Sequence, residues 1–303
     1  MTAGPGRVPR IKVVCVTPFR DDGSLDERGL AEEVARLAAH GFGIYVGSFG
    51  SGEGHLLDDA ENRRTLQVAV ATAAGRAPVY AAAVGFTDTR RVIGRVQEAI
   101  DMGVDAVQVM PPRPGPPNVP PPPAELEGYF QDVLAGTSGP IHLTNEGFMV
   151  GYTVPIGLLA RLVEENPRIE SVNTTDTDPW QVVELTRAIG DRVPVHTGLL
   201  TQLPLALTCG AAGPLGFEAV IAPGLMTSVV ESFHAGNLAA FGVAYNQALR
   251  LHRTLMRYGN PRSIKVALEL LGFVGAPMRR PYLPLPAAAV EDIRSALHEI
   301  GLL

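Results

Sequence analysis

The fold is decided by residues 11–47, which read IKVVCVTPFRDDGSLDERGLAEEVARLAAHGFGIYVG. A short, β-branched apolar run at Ile11 to Thr17 is followed by an amphipathic stretch at Asp26 to Ala39 and by a second apolar run at Phe42 to Gly47. The two apolar runs are typical of buried strands, and the stretch between them is typical of a surface helix. This order predicts a strand, helix, strand unit of a parallel sheet.

The same alternation continues along the chain with a period of roughly 30 to 35 residues, the length that such units require. Strands are predicted at Ile11 to Thr17, Phe42 to Gly47, Pro78 to Val84, Val104 to Met110, Pro140 to Thr144, Ile169 to Thr174, Val193 to Thr197 and Gly213 to Phe217. Helices are predicted at Asp26 to Ala39, Asp58 to Ala74, Thr89 to Met102, Pro123 to Leu134, Val154 to Glu165, Pro179 to Ile189, Gln202 to Cys209 and Gly224 to Ala235. Strict alternation of eight strands with eight helices predicts an α/β fold, the (β/α)8 TIM barrel.

The last part of the chain follows a different pattern. Leu238 to Tyr258, Pro261 to Leu271 and Ala287 to Ile300 are predicted to be helices without intervening strands, and PYLPLP at 281–286 connects the last two. We therefore predict a barrel domain at 1–235 and a C-terminal helical appendage at 236–303 that packs on it.

Composition narrows the class of protein. The chain has 303 residues, 46% of them hydrophobic and 18% charged, which suits one large core. Its formal charge is −6 and it has no block of basic residues, so a nucleic-acid partner is not expected. No apolar run is long enough to span a bilayer and the N-terminus lacks a signal-peptide core, so we expect no membrane association and a cytoplasmic location.

The sequence favours neither a metal nor a cofactor. Cys15 and Cys209 match no disulfide framework or zinc-ligand spacing. Asp176 and Glu218 follow predicted strands, but they and the histidines show no metal-ligand spacing. Because there is also no Walker pattern and no GxGxxG after a strand, we predict that the chain uses no cofactor.

A proline-rich segment, PPRPGPPNVPPPP at 111–123, follows the fourth predicted strand and cannot be helical. It is interpreted as a stiff surface loop or a subunit contact, with a rigid wall over the barrel mouth as the alternative.

Four segments together resemble the dihydrodipicolinate synthase and N-acetylneuraminate lyase family. They read VCVTPFRDDGSLD at 14–26, GIYVGSFGSGE at 43–53, GVDAVQVMPP at 103–112 and GNPRSIKVALELLG at 259–272. The resemblance implies a (β/α)8 barrel that binds 2-oxo acids at the carboxyl-terminal mouth of the strands, and usually a homotetramer built from dimers. It also implies a sixth-strand lysine that forms a Schiff base and a fifth-strand tyrosine that relays a proton. We therefore expect a small-molecule substrate and a homo-oligomer, dimer or tetramer.

The functional residues of the family are replaced here. The sixth strand reads IESVNTTD at 169–176, which puts Asn173 at the lysine position, and Thr144 stands at the tyrosine position of the fifth strand. The chain has only two lysines, Lys12 and Lys265, and both belong to segments that are expected to lie away from the mouth. The sequence therefore predicts that imine chemistry is absent.

A different set of polar residues is predicted at the mouth. Because alternate residues share a strand face, His142 should lie one layer below Thr144, with Ser171 and Asn173 opposite on the sixth strand. We predict that His142, Thr144 and Asn173 are catalytic, with the imidazole moving a proton and the hydroxyl and amide holding an oxyanion. The alternative is that His142 only fills the barrel core.

Substrate contacts are predicted from the strand ends. Ser48 or Ser51 would bind a carboxylate, Arg113 would clamp it, and Ser171 and Thr174 would complete the site. Arg113 has the alternatives of facing solvent or an acid of a partner subunit.

Two functions follow from these residues. The first is a lyase-like enzyme that acts on a small, possibly carboxylated metabolite by elimination, hydration or cyclisation, without imine catalysis. The second is a catalytically silent relative that serves as a ligand-binding or assembly subunit.

Overall fold

The structure is a computed structural model that describes residues 8–82, 88–113, 119–275 and 277–303. Its strands are β1 Lys12–Val14, β2 Gly43–Val46, β3 Val79–Ala82, β4 Ala106–Val109, β5 Ile141–Asn145, β6 Ile169–Thr174, β7 Val195–Thr197 and β8 Gly213–Gly216. Its helices are α1 Glu27–Ala38, α2 Asp59–Ala73, α3 Thr89–Asp101, α4 Pro123–Ala135, α5 Gly147–Val150, α6 Ile156–Glu165, α7 Pro179–Ile189, α8 Leu203–Thr208, α9 Glu218–Ile221, α10 Pro223–His234, α11 Leu238–Tyr258, α12 Arg262–Leu270 and α13 Ala287–Glu299.

The eight strands are hydrogen-bonded in sequence order and close into a barrel. The strand pairs from β3 to β8 are parallel. A helix follows each strand, as parallel neighbours require, because the chain must cross back to the start of the next strand. The predicted (β/α)8 barrel is therefore confirmed.

Local sequence explains where the helices begin. Asp26 caps α1 by accepting a hydrogen bond from the backbone of Gly29, and Asp178 caps α7 in the same way at Trp180, with Pro179 at the first helical position. In α1 the buried residues include Leu30, Val34 and Leu37, which recur at helical spacing and place one face against the sheet.

The structure differs from the prediction in detail. Several strands are shorter than the apolar runs that predicted them, because the runs continue into buried connections beyond the ladder. Two four-residue helices, α5 and α9, were not predicted. The last two residues of the predicted strand at 78–84, and residues 114–118 of the proline-rich segment, lie outside the described residues.

The chain separates into two compact units. The first consists of the chain through Lys12 and of Tyr80–Leu215. It contains β4 to β7 complete, and its central strand pair, β5 and β6, aligns Thr144 with Asn173 and His142 with Ser171. Every residue of β5 is buried.

The second unit consists of Val13–Val79 and Gly216–Leu303. Within it, α10 packs against α11, and α11 and α12 pack against α13. Its core encloses an ion pair between Lys265 Nζ and Glu53 Oε2 at 2.5 Å, with the ammonium over the ring of Phe19. The division at 235 and 236 stays a prediction.

Candidate active site

The inward face of the first unit carries an unusual concentration of polar side chains. Lys12, Tyr80, His142, Ser171, Asn173 and His196 are all buried there, and we call these six residues the interior cluster. Lys12 Nζ donates hydrogen bonds to Ser171 Oγ at 2.6 Å and to Asn173 Oδ1 at 3.0 Å. Because Ser171 and Asn173 are two residues apart, these bonds show which face of β6 is turned inward.

The position of Lys12 corrects a prediction. Lys12 was expected to lie away from the site, yet its amine contacts Asn173, the residue that was predicted to stand at the lysine position of the family. The exclusion of imine chemistry by lysine inventory is therefore not supported. Lys265, by contrast, lies in the second unit and is paired with Glu53.

His196 on β7 is hydrogen-bonded at both ring nitrogens. Its Nε2 lies 2.9 Å from the carbonyl oxygen of Pro9 and its Nδ1 lies 3.3 Å from Ser171 Oγ. Because a carbonyl oxygen only accepts, the neutral ring carries its proton on Nε2, and Nδ1 is then an acceptor. Ser171 can donate to this nitrogen or to the carbonyl of Pro194, which lies 3.0 Å from its oxygen.

Aromatic contact fixes the other imidazole. The ring of His142 meets that of Tyr80 edge to face, with centroids 4.5 Å apart. The same tyrosine ring lies 5.7 Å from Lys12 Nζ. These contacts hold His142 against the side of the site where the amine lies.

Burial sets the charge state of the interior cluster. Desolvation holds the pKa of Lys12 well below its ordinary value of 10.5 and outweighs the attraction of Glu170, which acts in the opposite direction. Desolvation and the nearby Lys12 amine hold the pKa values of His142 and His196 well below 6.5. Both imidazoles are therefore neutral at pH 7, and the amine is shifted toward its neutral, nucleophilic form.

A carboxyl group lies at the mouth of the barrel, directly after β5. Thr144 Oγ1 donates a hydrogen bond to Glu146 Oε1 at 3.0 Å. Glu146 is buried, and desolvation raises its pKa despite the hydrogen bonds from Thr144 and Thr175. A raised pKa makes this carboxyl a stronger base than an ordinary carboxylate, which suits general acid and base catalysis.

The loop that carries Glu146 is tightly fixed. Asn145 accepts a hydrogen bond from the backbone of Val154 at 2.9 Å and donates one to its carbonyl at 3.2 Å. Asp176 accepts from Thr153 Oγ1 at 2.5 Å, and a Cβ at Gly147 would collide with the same carboxylate. The side chain of Glu146 is therefore presented from a rigid turn.

Thr174, predicted to bind substrate, lies on the other side of β6. Strand alternation puts it on the face of Val172, opposite Ser171 and Asn173. Its buried hydroxyl has no hydrogen-bond partner within the described residues.

Arg113 lies at the surface of the first unit, beyond the end of β4. It is exposed and lines a cleft of about 420 Å³ together with Pro112, Val119, Glu125 and Tyr129. Among the described residues, no member of the interior cluster lines this cleft. Its role as a carboxylate clamp stays a prediction.

Ser48 and Ser51 belong to the second unit. Both are buried and both accept hydrogen bonds: Ser48 Oγ from the backbone of Gly52 in the same turn at 3.2 Å, and Ser51 Oγ from Asn260 Nδ2, between α11 and α12, at 2.8 Å. Thr17 donates to the carbonyl of Gly52 at 2.5 Å, which holds the same turn. Their role in binding a carboxylate also stays a prediction.

Sequence reasoning brought together four residues that the structure also brings together, namely His142, Thr144, Ser171 and Asn173, and it missed four others. The missed residues are Lys12, Tyr80, Glu146 and His196. The signal for Lys12 and His196 was present, because each stands in an otherwise apolar strand of a barrel whose strands have no exposed face. Glu146 also carried a signal, as a carboxylate at a strand end.

The described part of the chain contains no group of three or more histidine, cysteine or acidic side chains that could hold a metal ion. None of its described helices combines the length and the apolar composition that a bilayer span requires.

The geometry defines the chemistry that is available. An inner layer holds an amine, two neutral imidazoles and a hydroxyl, and the layer above it holds Thr144, Asn173 and a protonatable carboxyl. Such a site can polarise a carbonyl, move a proton next to it and bind the oxygen on which negative charge develops.

Known proteins resemble this chain over almost its whole length. The model of the dihydrodipicolinate synthetase family matches residues 7–300. A 4-hydroxy-tetrahydrodipicolinate synthase from Methanopyrus kandleri is 31% identical over 289 residues, which are 95% of each chain.

Solved structures give the same result for the fold. A monomeric dihydrodipicolinate synthase variant superposes with a TM-score of 0.91 at 22% identity, covering 99% of this chain and 100% of its own. The prophage protein YagE of E. coli K12, solved in complex with pyruvate, superposes with a TM-score of 0.86 at 21% identity, covering 96% of this chain and 99% of its own. The family match and the sequence identity show that this chain belongs to the dihydrodipicolinate synthetase family.

Proposed function

We propose that the chain is a lyase-like enzyme that acts on a small carboxylated metabolite with a reactive carbonyl group. The reaction makes or breaks a bond next to that carbonyl, as in elimination, hydration or cyclisation. The observation that carries the proposal is the Thr144–Glu146 pair beside Asn173. It places a protonatable carboxyl, a hydroxyl and an amide at the mouth-side end of two neighbouring strands.

The roles follow from the geometry. Glu146, with its raised pKa, moves the proton, and Thr144 connects it to the inward face of β5. The amide of Asn173 stands level with Thr144 on the neighbouring strand and stabilises the oxygen of the substrate. His142 lies one layer deeper and, being neutral, accepts or donates a hydrogen bond without adding charge.

The substrate class is inferred from the relatives. The relative from M. kandleri is named a 4-hydroxy-tetrahydrodipicolinate synthase, and the YagE structure contains pyruvate. A 2-oxo acid supplies both the carboxylate and the carbonyl that the proposed reaction needs. We therefore place this chain's substrate in the class of 2-oxo acids or compounds formed from them.

The proposal no longer requires that imine chemistry be absent. That restriction depended on both lysines lying away from the site, and Lys12 lies inside it. Acid and base catalysis by the Thr144–Glu146 pair is compatible with either an imine or a free carbonyl.

A thermal-shift series tests the proposal. Ligands that bind the folded chain stabilise it by about 2.7 kcal/mol at a concentration of 100 times Kd, which raises the melting temperature by several degrees. We expect such a rise with pyruvate and other 2-oxo acids, and none with matched carboxylates that lack the keto group. A rise only with larger apolar compounds would contradict the proposed substrate class.

Binding without chemistry would favour the alternative of a silent relative. To distinguish an enzyme from a silent relative, the purified chain is incubated with each ligand that shifts its melting temperature, and the consumption of that ligand is measured. Saturable consumption supports the enzyme, and its complete absence for every bound 2-oxo acid supports a ligand-binding subunit.

A further inference from the structure

A chain of hydrogen bonds runs through the interior cluster and ends at the amide of Asn173. Its Oδ1 accepts from Lys12 Nζ at 3.0 Å, and the same amine donates to Ser171 Oγ at 2.6 Å. Ser171 Oγ in turn lies 3.3 Å from Nδ1 of His196, whose Nε2 lies 2.9 Å from the carbonyl oxygen of Pro9. All four side chains are buried. Asn173 is therefore connected, through three other side chains, to the backbone ahead of β1.

The position of the Lys12 amine determines how the amide of Asn173 is turned. An amine N–H donates, so the amide atom next to Nζ is the oxygen. Because the amine also contacts Ser171, two residues earlier on β6, it approaches Asn173 from the side that faces the start of the strand. The nitrogen, on the other arm of the same planar group, is thereby turned away from the amine.

We infer that Lys12 is a positioning residue, which holds Oδ1 of Asn173 so that the amide N–H groups donate toward the mouth-side end of the barrel. This inference rests on the proposed function, in which the amide of Asn173 stabilises the substrate oxygen on which negative charge develops. It assigns to Lys12 a role that is exerted through Asn173 and not on the substrate itself.

A hydrogen bond is needed to select this orientation. The oxygen and the NH₂ group of an asparagine amide have nearly the same shape, so packing alone does not distinguish the two ways of placing them. Loss of the Lys12 amine removes the donor that makes the distinction. A flipped amide would present its oxygen, an acceptor, to the developing negative charge, and the stabilisation would become repulsion.

A lysine can perform this role in either charge state. Both the ammonium and the neutral amine carry at least two N–H groups, which is the number that Ser171 and Asn173 accept. The attraction of Glu170 offsets part of the cost of burying a charge at this position, and the ring of Tyr80 lies 5.7 Å from the amine. The amine is thus fixed by several neighbours, which a group that orients another side chain requires.

A double-mutant cycle tests the inference, with the exchange of the methyl protons of pyruvate in D2O as the assay. Asn173→Ala should lower the exchange rate at saturating pyruvate by about 100- to 1000-fold, as the loss of an oxyanion donor does. Lys12→Met keeps an unbranched side chain and should lower this rate by roughly 10- to 100-fold, with KM nearly unchanged. When Asn173→Ala is already present, Lys12→Met should lower the rate no further, because its effect requires the amide.

Three results would overturn the inference. Additive losses in the double variant would show that Lys12 acts independently of Asn173. A greater loss in Lys12→Met than in Asn173→Ala would show that the amine acts on the substrate directly. An unchanged rate in Lys12→Met, when Asn173→Ala is slow, would show that the amide keeps its orientation without the amine.

Asn173→Asp tests the orientation of the amide even if Lys12→Met does not fold, because it keeps the amine and gives it a carboxylate partner. The new side chain still accepts from Lys12 but donates nothing, so the exchange rate should fall as far as in Asn173→Ala. A rate equal to that of the unaltered chain would show that the amide nitrogen is not the donor, and the inference would be wrong.

The same assay separates this inference from the proposed function. If the unaltered chain exchanges the protons of pyruvate and Glu146→Gln slows the exchange, but Lys12→Met does not, the proposed function stands and the role of Lys12 is wrong. If the unaltered chain neither binds pyruvate nor exchanges its protons, both are wrong.

Discussion

At the scale of single residues, Glu146 bears most of the proposed chemistry. Glu146→Gln keeps the shape of the side chain and its contact with Thr144 Oγ1 but removes the titrating proton. We expect kcat to fall by about 100-fold or more, as for other losses of a general acid or base. Glu165→Gln, an exposed carboxylate at the end of α6, is the matched control and should leave the rate unchanged.

The same residue makes a prediction about pH and stability. Because burial raises the pKa of Glu146 in the folded chain above its ordinary value of 4.5, its ionisation opposes folding. The protonated Glu146 side chain contributes most to the free energy of unfolding at a pH below the pKa of the carboxyl in the unfolded chain. This contribution is lost as the pH rises through the higher pKa of the folded chain. As the pH rises through this window, Glu146→Gln should therefore become more stable relative to the unaltered chain. Urea titration at each pH measures the difference in the free energy of unfolding. A constant difference across the window would show that Glu146 has an ordinary pKa.

Residue by residue, the site was only partly predictable from sequence. His142, Thr144, Ser171 and Asn173 could be grouped because strand alternation and neighbouring strands follow from the fold. Lys12 could be recognised as unusual in an apolar strand, but counting along β1 does not show what its amine contacts, because the long side chain carries the amine across to another strand. Distances of this kind depend on strand register and rotamer, which the sequence pattern does not specify.

At the scale of elements, the connection from β5 to α6 positions the proposed acid. Asn145 satisfies both the backbone N–H and the carbonyl of the buried residue Val154. Asn145→Ala leaves both without a partner and should cost about 2 to 4 kcal/mol in the free energy of unfolding, because unsatisfied buried groups are expensive.

Chemical denaturation measures this cost. Gln131→Ala, which removes an exposed amide from α4, is the control and should change stability by less than about 0.5 kcal/mol. An equally small effect of Asn145→Ala would contradict a rigid connection.

A substitution in strand β6 is predicted to increase stability, in contrast to Asn145→Ala. The hydroxyl of Thr174 is buried without a hydrogen bond in the described structure, so Thr174→Val removes a desolvated polar group and keeps nearly the same shape. We expect a gain of about 1 kcal/mol. Since Thr174 lies on the face of β6 away from Asn173, the catalytic rate of this variant should not change. A large rise in its KM would instead support the predicted role of Thr174 in substrate binding.

At the scale of the whole molecule, the barrel was predictable because its signal repeats. Each strand and helix is a weak prediction alone, but eight alternating pairs fit one architecture. The short helices α5 and α9 were not predicted, because a segment of four residues is too short to show a helical periodicity of apolar residues. The chemistry was only partly predictable, because a fold does not determine the side chains that its strands carry at their ends and on their inner faces.

Exchange of the methyl protons of pyruvate for deuterium measures the proposed proton transfer by itself, because it needs no second substrate. In D2O, proton NMR follows the loss of the methyl signal in the presence of the purified chain. We expect saturable exchange that is strongly reduced in Glu146→Gln and unaffected in Glu165→Gln. If pyruvate binds and its methyl protons exchange no faster than in buffer, this chain does not perform proton transfer next to a 2-oxo acid carbonyl, and the proposed function is wrong.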